Sequence, residues 1–251
     1  MTQDTLNIAA YRFVPLHDLP ALRQQLAEAA QRHQLKGTVL LAPEGINLFL
    51  AGASADVEAW LSDLRADNRF AGITVKRSIS DAQPFKRLKL KIKREIVRMD
   101  MPTLRPADAR PAGVAPLTLA RWLQQGHDDS GRPLRMLDTR NGFEVDDGAF
   151  DGAIDWRLRS FTDFPAALAA HRDELAGATV VSYCTGGIRC EKAALVMQDL
   201  GLAHCYQLDG GILQYFEDTQ GHAPGWHGRC FVFDERGGLD PSLAPARRSA
   251  G

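Results

Sequence analysis

The sequence of 251 residues carries a net charge of −1, with 45% hydrophobic and 24% charged residues. A chain of that length makes one large domain or two modest ones, and its composition is that of a soluble globular protein rather than a disordered or fibrous one. No apolar run approaches the roughly 18 residues of a membrane span. The start Met1-Thr2-Gln3-Asp4 lacks the basic and apolar character of a signal peptide, so a cytoplasmic protein with no membrane partner is expected.

The first part reads as strand, helix, strand, strand, helix, strand. Ile8 to Val14 is strand-like. Asp18 stands at the cap of a helix reaching about His33, with Leu22, Leu26 and Ala29 on one face, and Gly37 ends it. Val39 to Leu41 and Ile46 to Leu50 are short strands joined by the turn Pro43-Glu44-Gly45. Ser54 caps a second helix carrying Val57, Leu61 and Leu64, and Ile73 to Ile79 is a strand. This βαββαβ order is the ferredoxin-like pattern and is assigned to residues 1–97. Glu44-Gly45-Ile46-Asn47 reads on its own as a turn.

Lys86, Arg87, Lys89, Lys91, Lys93 and Arg94 crowd nine residues of the chain. Leu88, Leu90 and Ile92 alternate with three of the lysines, which predicts a half-buried strand with one cationic face. Such a face can track the phosphates of a nucleic acid. Lysines on a strand also shield a sheet edge from pairing with another chain.

Pro102, Pro106, Pro111 and Pro116 mark residues 98–116 as an interdomain linker. Residues 117–221 then alternate helix and strand. A short helix spans about Leu119 to Gln124, and strands are expected at Leu134 to Leu137, Ala153 to Trp156, Thr179 to Tyr183 and Tyr206 to Leu208. Helices are expected over Phe161 to His171 and from about Cys190 to Leu200, where Gly201 stops the second. The alternation implies a parallel sheet flanked by helices, hence an α/β chain overall. Residues 222–251 read as a C-terminal tail whose last dozen residues are frayed.

The four cysteines, 184, 190, 205 and 230, include no Cys-x-x-Cys pair, and no His-x-His cluster accompanies them, so no metal site is expected. In a reducing compartment they are thiols. Cys184 follows the β-branched strand and opens the loop Cys184-Thr185-Gly186-Gly187-Ile188-Arg189 before a helix. Backbone N–H groups of such a loop and the helix N-terminus make an anion cradle. Gly186 and Gly187 are expected to let the backbone curl where side chains would clash. Cysteines at such sites have pKa values of about 3.5–7.5 and react as thiolates. Cys184 is the expected nucleophile and Arg189 closes the loop. Cys190 and Cys230 are candidate second thiols, and Cys205 is expected in the core. The Cys-x4-Arg spacing is one residue shorter than the Cys-x5-Arg of cysteine phosphatases, which favours a sulfane sulfur or small adduct over a phosphoryl group.

CTGGIRCEK from Cys184, YQLDGGI from Tyr206, and DTRN at 138–141 with Glu144 and Gly148 resemble a rhodanese domain. With GTVLLAPEGIN from Gly37, FKRLKLKIKREIV from Phe85 and CFVFDER from Cys230 in that order, nearly the whole chain resembles the rhodanese-domain tRNA uridine hydroxylases. That resemblance implies an acylphosphatase-like N-terminal domain and oxygen-dependent formation of 5-hydroxyuridine at the tRNA wobble position. It matches Cys184 to the family's active cysteine and makes molecular oxygen a co-substrate. No flavin or nicotinamide fingerprint is visible, so no cofactor is identified and the electron donor stays open. DNA is not an expected partner. Two other readings remain: a sulfurtransferase carrying a Cys184 persulfide, and a non-catalytic RNA-binding module.

Overall fold

The computed structural model describes residues 4–109 and 111–245. The chain divides into one unit through Arg98 and a second from Met99 onward.

The first unit contains β1 (Thr5–Phe13), α1 (Leu19–Arg32), β2 (Lys36–Ala42), β3 (Gly45–Ala53), α2 (Ser54–Ala66), β4 (Val75–Ser80) and β5 (Leu88–Ile92). Its sheet runs β4-β1-β3-β2-β5. The first four strands are antiparallel neighbours, and β5 lies parallel to β2 at the edge. This is the ferredoxin-like order with one strand added. Register sets the core: Ile8 faces Leu50, Leu48 faces Val39, and Val39 faces Leu90, so period-two alternation puts these side chains on one face. Leu22, Leu26, Ala29 and Ala30 of α1 and Val57, Trp60, Leu61 and Leu64 of α2 cover it. Each fully buried large apolar side chain contributes roughly 1.5–3 kcal/mol.

Local details differ from the sequence expectation. Asp18 occupies the cap position of α1 without a side-chain cap bond, because its carboxylate accepts from Arg69 Nη1 at 2.6 Å. Ser54 is the first residue of α2, and Ala53 precedes it as cap. Ile92 is 39% exposed, while Leu88 and Leu90 are partly buried against the core, as befits the last residue of an edge strand.

The second unit contains β6 (Gly113–Val114), α3 (Pro116–Gln125), β7 (Leu134–Asp138), α4 (Gly142–Val145), β8 (Gly148–Phe150), α5 (Phe164–His171), β9 (Thr179–Tyr183), α6 (Ile188–Asp199), β10 (Cys205–Leu208), α7 (Gly211–Asp218), β11 (Trp226–Gly228), β12 (Cys230–Phe231) and β13 (Gly238–Leu239). A parallel sheet runs β6-β10-β9-β7. All five residues of β9 are buried, which suits the β-branched run Thr179-Val180-Val181 in an inner strand. Two antiparallel pairs, β8 with β11 and β12 with β13, complete the unit.

Three readings of this half change. The stretch taken as linker includes β6, whose residues pair with Gln207 and Leu208, and Pro116 opens α3. Ala153 to Trp156 contains no strand, only an isolated bridge from Ile154 to Leu137, while β8 lies just before it. The stretch after residue 221 is woven into the unit through β11 to β13, and Cys230 is fully buried in its core. Within the expected frayed end, residues 246–251 lie outside the described residues.

Candidate active site

β9 delivers Cys184 to the sheet's end, and α6 begins four residues later. Cys184 has no exposed surface. The Gly187 N–H donates to Cys184 Sγ at 3.1 Å, and Arg189 and Cys190 act on its titration. Burial pushes the Cys184 thiol up. The Cys190 hydrogen bond, the positive charge of Arg189 and the amides outweigh that and bring it down to about 5. Burial together with the Cys184 charge raises the Cys190 thiol well above its ordinary value. The Gly187 N–H and the positive charge of Arg189 favour the anion on Cys184 over Cys190. Of the expected amide cradle, the Gly187 N–H is the one seen on the sulfur among the described residues.

The loop is braced from below. The Ile212 and Leu213 N–H groups, in the first turn of α7, donate to the carbonyls of Cys184 and Thr185 at 3.0 and 3.1 Å. Gly211 makes that approach possible: its φ is +67°, and a Cβ there would sit 2.4 Å from the Cys184 carbonyl oxygen. Gly187 also has a positive φ, +97°. Gly186 does not fit the expectation. A Cβ there would meet nothing within 4 Å, so steric clash does not explain this glycine, and the half-buried Gly186 and Ile188 form the open side of the loop.

Arg189 closes the loop differently from the sequence expectation. Its guanidinium pairs with Glu144, Nη1 to Oε2 at 2.6 Å and Nη2 to Oε1 at 2.8 Å. Burial pushes the Glu144 carboxyl up, but the Arg189 charge and its hydrogen bonds hold it below the ordinary range. Glu144 comes from α4, where the Asn141 N–H donates to Oε2. The Asp138-Thr139-Arg140 run anchors this corner. Arg140 is buried against Asp138 and donates to the Gly148 carbonyl. Thr139 Oγ1 donates to the Tyr183 carbonyl at 2.9 Å.

The remaining candidates separate. Cys230 is buried beneath the loop, and burial pushes its thiol up to about 12. Cys205 lies in β10, where burial raises it to about 11. Both stay protonated at neutral pH. Thr185 is buried and its hydroxyl donates to the Phe231 carbonyl at 3.4 Å. Lys86, Arg87, Lys89, Lys91, Lys93 and Arg94 are all exposed, with Lys89 and Lys91 on β5. The EGIN turn serves the backbone: Glu44 Oε1 accepts from the Ile96 N–H at 2.6 Å, and the Asn47 side-chain amide donates to the Ile96 carbonyl at 3.2 Å.

Sequence reasoning gave no role to Glu144 or to an aromatic cluster beside the loop. Phe143 and Phe233 are 49% and 54% exposed. Phe231 meets them edge-on at centroid distances of 5.3 and 5.1 Å. The available signal was chemical: a buried arginine needs a carboxylate, and Glu144 stands in the motif that opens the domain.

Residues 5–96 match the family model described as UPF0176 acylphosphatase like domain, and residues 119–218 match the rhodanese-like domain. The chain is 61% identical over 241 residues to the tRNA uridine(34) hydroxylase of Bordetella petrii, covering 96% of this chain and 95% of that one. It is 60% identical to the protein so named in Delftia acidovorans, at 96% and 91% coverage, and 59% identical to that of Variovorax paradoxus, also at 96% and 91%. The chain belongs to the tRNA uridine(34) hydroxylase family.

Proposed function

We propose that this protein hydroxylates uridine 34 of tRNA at C5, using molecular oxygen, with the Cys184 thiolate as its nucleophile. The observation that carries the reading is Cys184 itself. Its sulfur accepts from the Gly187 amide at the start of α6, and its pKa is brought down to about 5, in a chain of that family. A thiolate that adds to C6 of a uracil ring makes C5 electron-rich, and C5 is the atom that gains oxygen. Arg189 stabilises the thiolate and Glu144 positions Arg189. The Phe143, Phe231 and Phe233 cluster beside the loop offers faces on which a base extruded from the anticodon stacks. Lys89, Lys91 and Lys93, with Lys86, Arg87 and Arg94, provide the charge that meets RNA phosphates. Action on tRNA implies the cytoplasm as the site of this activity. Separately, no helix among the described residues is long and apolar enough to cross a membrane.

Mass spectrometry of wobble nucleosides from cells lacking the protein tests this reading. Loss of 5-hydroxyuridine and nucleosides built from it is expected. Loss of a thiolated nucleoside instead identifies a sulfurtransferase, and an unchanged nucleoside profile identifies a non-catalytic RNA-binding module.

A further inference from the structure

In the first unit, α1 and α2 cover one face of the sheet. Strand register sets what the other face displays. Ala9 faces Lys76 on one side and Phe49 on the other, Phe49 faces Thr38, and Thr38 faces Lys89. One row thus crosses the whole sheet, from β4 through β1, β3 and β2 to β5. In the next row Tyr11 faces Asn47, and Lys91 closes the row at β5. These residues alternate with the core set of Ile8, Leu48 and Val39, so they point away from the helices.

The open face of an antiparallel sheet ordinarily turns polar side chains to water. This face carries three aromatic rings on its two central strands: Tyr11 and Phe13 on β1 and Phe49 on β3, each half-buried rather than enclosed. Tyr11 and Phe13 meet edge-on at a centroid distance of 6.0 Å. Tyr11 and Phe49 are diagonal neighbours across the strand pair, about 7–8 Å apart. That exceeds the roughly 3.4 Å rise of stacked bases, so each ring suits one splayed base. Lysines flank the rings on both outer strands, Lys89 and Lys91 exposed on β5 and Lys76 half-buried on β4.

We propose that this face binds single-stranded RNA, the unpaired nucleotides of the substrate tRNA. Bases stack on Tyr11, Phe13 and Phe49 while the edge lysines meet phosphates. That the RNA is tRNA rests on the hydroxylase reading; the class of ligand rests on the face itself. A βαββαβ sheet with aromatic rings on its central strands holds two or three bases this way, and the stacking tolerates any sequence because every base has a π-face. A duplex stacks its bases on one another and offers the rings nothing. Positive charge on both sides of the rings complements a polyanion.

The test is binding of the full chain to a fluorescent oligouridylate and to an RNA duplex of the same length, across a salt series. The wild type should prefer the single strand. Each stacked base is worth about 5- to 150-fold in affinity. Tyr11→Leu combined with Phe49→Leu keeps apolar bulk but removes two ring faces, so single-strand binding should weaken by at least about 25-fold. The salt slope should stay as in the wild type, because no phosphate contact is lost. Phe49→Tyr, which keeps the ring, should bind as the wild type does. Wild-type affinity in the double variant, or a wild type that prefers the duplex, overturns the proposal. Should the double variant not fold, photo-crosslinking of the wild type to 5-bromouridine RNA decides: adducts on Tyr11, Phe13 or Phe49 support the face, and adducts confined to other residues overturn it. A wild type that binds the single strand here but yields no 5-hydroxyuridine upholds the face and sinks the hydroxylase reading. A double variant with wild-type KM for tRNA overturns the face and leaves that reading intact.

Discussion

Arg189 and Glu144 lie 45 residues apart in sequence and meet as a two-pronged ion pair, both distances 2.8 Å or less, with Glu144 fully buried. The guanidinium thus brings positive charge to the Cys184 loop while its own hydrogen bonds are spent on a carboxylate. Planar fork geometry suits arginine and not lysine.

Glu144→Ala strands Arg189 as a buried cation. Loss of one partner of a buried pair costs about 3–5 kcal/mol, so the variant should melt earlier and lose activity together. Arg189→Ala should reduce turnover more than Arg189→Lys, which retains charge near Cys184 but only one prong toward Glu144. Urea melts alongside turnover measurements check both. Wild-type stability in Glu144→Ala would contradict the pairing.

The lowered thiol of Cys184 gives a pH signature. Its alkylation rate should rise through about pH 5 and level off by neutrality, whereas an unperturbed cysteine rises near about 8.5. Stability follows with a definite sign. The folded value is depressed, so the unfolded chain holds more protons between those values. The stabilisation is full above the unfolded value and is lost as pH falls through about 5. The stability difference between wild type and Cys184→Ser should therefore widen as pH rises across that window. Thermal melts of both proteins from pH 5 to 9 measure it, and a constant difference would contradict a thiolate at Cys184.

Gly211 and Gly186 make a matched pair of tests. Gly211→Ala drives a Cβ against the Cys184 carbonyl oxygen at 2.4 Å in a left-handed backbone, a strain of order 1–3 kcal/mol placed directly under the nucleophile. It should lower both melting temperature and turnover. Gly186→Ala meets open space and should leave stability within about 1 kcal/mol, while the new methyl stands on the open side of the loop and raises the KM for tRNA. Equal stability losses at the two positions would contradict this division.

Replacing Lys89, Lys91 and Lys93 by glutamine should weaken tRNA binding and its salt dependence. Alternate strand positions lie about 7 Å apart, close to phosphate spacing along a backbone, so the three can act together. Each lost phosphate contact flattens log affinity against log salt by roughly 0.7–0.9, up to about two units for the triple change. Stability should move little, since all three are exposed while Leu88 and Leu90 pack inward. Binding across a salt series decides it: an unchanged slope with wild-type affinity places the RNA elsewhere.

The legible parts of the molecule are those whose signal is local. Thr179-Val180-Val181-Ser182-Tyr183 is a β-branched run that ends where a cysteine, two glycines and a helix begin, and the structure has β9 over those same residues. The alternation of Leu88 and Leu90 with lysines gave β5, and the lysines suited a sheet edge, but that its neighbour is β2 only the completed sheet fixes. β8 and β11 are three residues each, too short to show a period, so the segment they tie down resembled a tail. The contact of Arg189 with Glu144 and the gathering of Phe143 with Phe231 and Phe233 span long loops and leave no trace in spacing. Gly186 and Gly211 show the limit of reading glycines as motifs: which one is sterically required depends on what packs against it.

The most direct test of the account is oxygen transfer by the purified protein. Unmodified tRNA incubated with the protein, a dithiol and 18O2 should yield 5-hydroxyuridine at position 34 carrying one 18O atom. Cys184→Ser should give none while keeping its fold and its tRNA affinity, because a serine hydroxyl stays protonated at neutral pH. Full activity in Cys184→Ser, or a product whose oxygen comes from water, would contradict the claim that the Cys184 thiolate drives an oxygen-dependent hydroxylation.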